Sequence, residues 1–294
     1  MDEHVPRGQG FVSENRFAHL MLAPAGVWLL LLFAVPLGIL LAVSLGTTDP
    51  VYQAVYGWHP ENFGDVFDPL FGPVLLRSVG YALATVALCL LIGYPIAYYI
   101  ARYGGRWKTL LIAVVVLPFL VNYLVRTYAW VAILSDEGLV NGILVDTGIS
   151  EHGVRFVNTW YAVVGGLVYG YLAFMILPLY AALDRMDPSL IEAGKDLYGN
   201  RWQTFWHVTW PAAFQGVAAG CVLVFLPAVG DFISAQLLGG PDTYMIGNLI
   251  QQQFLEAQNW PFGAALTIVM MAFLLVWMLV YLRSAARASR EATV

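Results

Sequence analysis

Residues 187–211 read Asp187-Pro188-Ser189-Leu190-Ile191-Glu192-Ala193-Gly194-Lys195-Asp196-Leu197-Tyr198-Gly199-Asn200-Arg201-Trp202-Gln203-Thr204-Phe205-Trp206-His207-Val208-Thr209-Trp210-Pro211. This polar, helix-compatible stretch stands between two long apolar runs. A few residues suffice to join two membrane helices, yet this connection holds about two dozen, and they are patterned. Asp187 suits a helix cap and Pro188 a first turn. Leu190, Ile191, Gly194 and Leu197 then fall on one side at helical spacing. Gly199-Asn200 is a turn signal. Trp202, Phe205, Trp206 and Val208 begin a second apolar-faced helix that feeds into Pro211. The stretch therefore predicts two short helices. Such a pair can lay one helix in the groove of a soluble partner. It can equally lie on the lipid, anchored by Trp202 and Trp206. The pattern alone favours neither.

The rest of the chain places this insert against a membrane. Of 294 residues, 60% are hydrophobic and 11% charged, where a soluble domain has about 45–50% and about 25%. The excess falls in six runs, at 23–45, 78–101, 110–134, 161–183, 212–238 and 262–282. Each can cross a bilayer as a helix, which takes about 20 residues. Their Leu, Val, Ala, Ile and Phe content favours helices over the short alternating strands of a barrel. The expectation is an all-α polytopic transmembrane helix bundle of six spans. The segment 1–22 is an N-terminal tail, 23–282 the membrane domain with 184–211 as its long loop, and 283–294 a C-terminal tail.

Eleven of the fourteen basic residues lie on one side: Arg7, Arg16, Arg102, Arg106, Lys108, Arg185, Lys195, Arg201, Arg283, Arg287 and Arg290. The positive-inside rule makes that side cytoplasmic, with both termini and the insert. The outer loops carry Asp49, Glu61, Asp65, Asp68, Asp136, Glu137, Asp146, Glu151, Asp242 and Glu256 against Arg77 and Arg155. That acidity reflects depletion of positive charge outside, or attracts a cationic solute or a partner's basic rim. The outer loops after the first and third runs, 46–77 and 135–160, have room for short helices, such as 138–145. The first apolar run is too long for a cleavable signal. Tyr94, Tyr98 and Tyr99 read as an interfacial belt, and Cys89 and Cys221 as packing residues. No P-loop, Ser or Cys triad, metal-ligand spacing or nucleic-acid motif is present. Gly104-Gly-Arg-Trp-Lys-Thr109 lacks the Gly before the Lys that a P-loop needs. The chain reads as holding no metal and no catalytic chemistry of its own.

Glu192-Ala-Gly-Lys-Asp-Leu197, with Phe205 and with Pro211 nineteen residues after the Glu, resembles the EAA loop of permease subunits in binding-protein-dependent ABC importers. Gly194 replaces the family's second Ala. Tyr198 stands at the usual Gly, with Gly199 one residue later. Leu117-Pro-Phe119 with Asn122-Tyr-Leu-Val-Arg126-Thr-Tyr128-Ala-Trp130 is similar to spermidine/putrescine-type permeases. So are Leu226-Pro-Ala-Val-Gly230-Asp231-Phe232, Leu238-Gly-Gly240, Ile246-Gly-Asn248 and Asn259-Trp-Pro-Phe-Gly263. The resemblance points to the first of two permeases and implies the type I importer permease fold in a bacterial inner membrane. It implies a second permease subunit, a cytoplasmic ATPase dimer and an extracytoplasmic substrate-binding protein. ATP and Mg would sit on the ATPase, and this chain would carry no cofactor. It further implies that Glu192, Ala193, Gly194, Asp196, Leu197, Tyr198 and Gly199 couple the chain to the ATPase.

Two ionisable residues lie within spans, Arg126 and Asp231, at similar depth. A charge there costs about 2.5–3.5 kcal/mol on insertion scales, so each must pair or face a wet cavity. Pro227 and Gly230 beside Asp231 predict a broken helix. In one reading Arg126 and Asp231 form a structural ion pair. In the other they line a translocation path with Asn122, Tyr128 and Trp130. Asp231 would then attract an ammonium group, with ring faces from Tyr128 and Trp130 worth about 0.5–2 kcal/mol each. Arg126 would repel that cation. The expected function is a permease subunit for polyamines. The alternatives are an importer of the same build for an opine or organophosphonate, and an ion-coupled secondary transporter with Asp231 as its ion site.

Overall fold

The computed structural model describes residues 11–49, 54–68, 71–150 and 153–291. Arg7 and Glu151 lie outside the described residues, as do the side chains of Arg16, Tyr198, Arg287 and Arg290. The elements, in order, are α1 (Phe11–Ser44), β1 (Thr47–Thr48), β2 (Ala54–Val55), α2 (Glu61–Asp65), α3 (Gly72–Tyr103), α4 (Lys108–Val116), α5 (Tyr123–Leu134), α6 (Leu139–Asp146) and α7 (Trp160–Arg185). There follow α8 (Pro188–Tyr198), α9 (Arg201–Thr204), α10 (Trp210–Val229), α11 (Ile233–Leu238), α12 (Ile246–Leu255) and α13 (Trp260–Glu291). Among the described residues, six helical segments are long and apolar enough to cross a membrane.

Helices α3, α7 and α10 form the centre, and small residues let them approach. A β-carbon at Gly216 would lie 2.7 Å from both the Pro178 carbonyl oxygen and the Ala182 β-carbon. One at Gly93 would lie 3.2 Å from Met175. Lipid tails give apolar helices no reason to exclude solvent, so close backbone packing of this kind drives association. Cys89, Met175, Leu179, Leu183 and Val224 fill the core. Helix α1 lies outside against α13, and Val27 to Phe33 is largely exposed.

Two spans depart from the runs that the sequence predicts. The third run is broken. After α4 the chain forms a tight turn over Leu117–Leu120, then extends at Val121 and Asn122 before α5. Pro118 lacks the N–H that would continue the helix, and Asn122 restarts it by accepting from the Leu124 N–H at 2.9 Å. The fifth run begins earlier than predicted. Helix α9 passes through a π-turn over Phe205–Thr209 directly into α10. At its far end α10 stops at Val229, and Gly230 to Phe232 separates it from α11. That break is where Pro227 and Gly230 predict one. Helices α2 and α6 follow the first and third apolar runs. The small antiparallel pair β1–β2 carried no sequence signal. Asn62 pins its base, donating to the Ser44 and Gly46 carbonyls at 2.9 Å each.

Tyr94 is not part of an interfacial belt. It is buried, 8% exposed, and packs against Phe205 and Trp210 with ring centroids 5.5 and 5.6 Å away. Tyr99 remains exposed.

Because the atoms facing Gly216 include backbone, they cannot step aside. Gly216→Val is expected to destabilise the protein by about 1–3 kcal/mol, seen as a lower melting temperature in detergent. Gly80→Val, where nothing lies within 4 Å, should melt like the parent.

Candidate functional site

The insert folds as two helices. The Asp187 carboxylate caps α8 by accepting from the Ser189 N–H at 2.9 Å, and that bond holds its carboxyl below the ordinary value. Helix α8 ends at Gly199, whose φ of +65° only glycine adopts without strain. Its N–H donates to the Lys195 carbonyl at 2.8 Å. The bend thus falls on Gly199, one residue beyond the family's glycine position, and Tyr198 stays in the helix. Asn200 caps the next helix, accepting from the Trp202 N–H at 3.0 Å.

Gly194 faces inward. A β-carbon there would lie 2.9 Å from the Cγ2 atoms of Thr204 and Val208, so the glycine seats α8 against the π-turn. Leu190, Glu192, Ala193, Lys195, Asp196 and Leu197 are all exposed, Leu197 at 76%. Glu192 forms no ion pair among the described residues. The seat is tied to the bundle twice. Arg102 donates to the Met186 carbonyl at 3.0 Å, and Lys108 pairs with Asp184. The 102–108 turn and the insert therefore share one end of the bundle.

A second cluster surrounds Asp231, 6% exposed. One carboxylate oxygen accepts from the Ser234 N–H at 2.7 Å, capping α11. The other accepts from the Tyr123 hydroxyl and from the Tyr171 hydroxyl, the latter at 2.8 Å. Tyr123 also shares a 2.7 Å hydrogen bond with Ser234 Oγ. Gly170 makes room for this, since a β-carbon there would lie 3.0 Å from the Tyr123 ring. Helix α12 braces the break: Asn248 donates to the Phe232 carbonyl at 2.8 Å.

Arg126 does not pair with Asp231. Its guanidinium lies over the rings of Phe119, Tyr123 and Tyr169, 5.8, 5.3 and 5.4 Å from their centroids, and donates to the Pro118 carbonyl at 3.1 Å. Tyr123 stands between the two charges, its ring under the cation and its hydroxyl on the carboxylate. Of the other path candidates, Asn122 caps α5, Tyr128 is exposed, and Trp130 meets the Tyr169 ring edge-on at 5.3 Å. None of the three bonds to Asp231. The partners that sequence reading missed are Tyr123, Tyr171 and Ser234. Ser234 stood three residues from Asp231, at capping distance, while Tyr123 and Tyr171 gave no signal beyond being polar groups within other apolar runs.

Residues 90–290 match the family of binding-protein-dependent transport system inner membrane components. The chain is 38% identical over 280 residues to a spermidine/putrescine transport system permease protein PotB of Haemophilus influenzae, covering 95% of this chain and 98% of the relative. It is 36% identical over 264 residues to the PotB protein of Escherichia coli, covering 90% and 96%. Its fold is similar to a chain in the crystal structure of a bacterial alginate ABC transporter bound to its periplasmic protein. That match has a TM-score of 0.71 at 21% identity and covers 95% and 96% of the two chains. A chain of the MetNI methionine ABC transporter matches with a TM-score of 0.53 at 14% identity, covering 76% and 95%.

A buried carboxylate that loses a donor is left undercompensated. Tyr171→Phe is expected to cost about 1–3 kcal/mol in thermal unfolding. The same change should cost clearly less in an Asp231→Asn background, because the two groups act together.

Proposed function

The chain belongs to the family of binding-protein-dependent transport system inner membrane components, and on that premise we propose that it is one of two permease subunits in an ATP-driven importer of polyamines such as spermidine and putrescine. The observation that carries the reading is α8. Its charged and apolar side chains stand free at one end of the bundle, while Gly194 locks its other face against the helix that becomes α10. That is the geometry of a handle. Push or rotate α8, and the movement passes to α7 and α10 through contacts too tight to absorb it.

The end that bears α8 also bears Arg102, Arg106, Lys108, Arg185, Lys195 and Arg201, which the positive-inside rule assigns to the cytoplasm. The handle then faces a cytoplasmic ATPase pair, which binds ATP and Mg. Glu192 and Asp196 supply charge, and Leu190, Ala193 and Leu197 supply apolar contact. A second permease completes the conduit, and an extracytoplasmic binding protein delivers the solute.

Asp231 is suited to a cationic solute. Its charge is held by hydroxyl and amide donors, so no resident cation must be displaced when an ammonium group arrives. Arg126, which would repel that group, is turned onto the far side of Tyr123.

Purified permease pair, ATPase and binding protein in liposomes should take up spermidine only with ATP. Vesicles holding this chain alone should take up none; uptake there would establish an ion-coupled transporter instead. A binding protein stabilised by an opine or an organophosphonate, and not by a polyamine, would reassign the solute. Glu192→Ala should weaken ATPase association by about tenfold, or about 1.4 kcal/mol, with the chain's melting temperature unchanged.

A further inference from the structure

Arg126 presents an unsolved electrostatic problem. It is 8% exposed, and it lies beside Tyr169, the tenth of the 26 residues of α7. At 1.5 Å per residue that is about 15 Å from the end of the helix, out of reach of lipid phosphates. Three rings cover the faces of the guanidinium, but its edges carry five N–H donors that rings do not satisfy. The Pro118 carbonyl takes one. The Nε group is buried with no partner. The acid closest in role, Asp231, is bonded by three donors of its own on the other side of Tyr123.

The guanidinium lines a cleft of about 180 Å³ between α3, α4 and α7. Its other walls are apolar, among them Ile96, Val114, Val115, Leu172 and Ile176. Val114 and Phe119 on its rim are 60% and 40% exposed, so the cleft opens on the side of the bundle. An exposed apolar strip adjoins it at the α4–α5 bend: Leu117, Leu120, Val121, Leu124 and Val125. Water needs two or more polar partners to stay in such a site, and these walls offer few. Hydrocarbon offers no acceptor at all.

We propose that this cleft is a seat on the face toward the second permease, and that a membrane helix of that subunit inserts an Asp or Glu side chain to pair with Arg126. The inference rests on the permease-pair reading above. Charge complementarity selects the occupant: a membrane helix can deliver a carboxylate at this depth, and a planar guanidinium edge binds one with two parallel hydrogen bonds. The apolar strip supplies the surface that the partner helix covers.

The test is assembly of the full complex, which is independent of the solute. This chain is co-expressed with the second permease and the ATPase, and the second permease recovered with it is measured. Arg126→Gln is expected to lower recovery about tenfold. Arg126→Glu should lower it further. In that background each Asp and Glu within the partner's spans is changed to Arg in turn, and one such change should restore both recovery and uptake. Wild-type recovery with Arg126→Gln, or the failure of every reversal to rescue, would overturn the proposal. If the unaltered chains do not co-purify, the permease-pair reading falls first, and this inference with it. If they co-purify but move no polyamine, only the solute assignment falls.

Discussion

A carboxylate buried without a cation constrains the centre of this molecule more than any other group. A buried carboxylate needs donors around it, and each donor to Asp231 imposes a feature of the fold. The Ser234 N–H is free to donate because the helix breaks between α10 and α11. Tyr123 reaches in because the third span is broken as well and because Gly170 has no side chain to stop it. Tyr171 follows one residue later on the same helix. Tyr169-Gly170-Tyr171 thus serves both charges at once, with Tyr169 beneath Arg126, Gly170 admitting the shared tyrosine and Tyr171 bonding the acid.

The same helices reach the other end of the bundle. Helix α7 runs from this triplet to Arg185 and the α8 insert. Helix α10 grows out of the π-turn beneath α8 and ends at the Asp231 break. They are pressed together along the way at Gly216 and Gly220. Tyr94 adds a third strut, anchoring α3 on Phe205 and Trp210 at the base of the insert. In the proposed importer, a force on α8 would therefore arrive at the two breaks flanking Asp231. Breaks are where the i to i−4 ladder is already interrupted, so they bend at low cost while the packed segments between them do not.

Much of this was legible in the sequence. Apolar run length marks the six spans. Asp187-Pro188 and Gly199-Asn200 bound α8, and Gly199 rather than Tyr198 takes the left-handed turn because it alone lacks a β-carbon. Pro227 and Gly230 announce the break before Asp231. What stayed hidden was tertiary. Tyr123 and Tyr171 lie 108 and 60 residues from Asp231 in sequence, and no local pattern pairs them. Tyr94 looks interfacial by position, and only the fold of the insert beneath it makes it core. The third span read as continuous because its composition is uniformly apolar. Pro118 was visible, but proline is common in membrane helices and does not alone predict an extended break.

In the proposed importer, the separation of Arg126 from Asp231 bears on what a path along Asp231 would admit. A direct ion pair would have cancelled both charges and left a neutral plug. Here one tyrosine divides them, and each charge is solvated differently: the carboxylate by hydroxyls that can rotate away, the guanidinium by ring faces and a carbonyl. On that proposal an arriving ammonium group would compete with hydroxyl donors rather than with a resident guanidinium. That exchange is nearly balanced, since one donor replaces another. Displacing a buried arginine would instead leave that cation uncompensated, at a cost of about 3–5 kcal/mol. In the proposed reading the division would keep Asp231 available to cations, and only while something other than Asp231 satisfies Arg126.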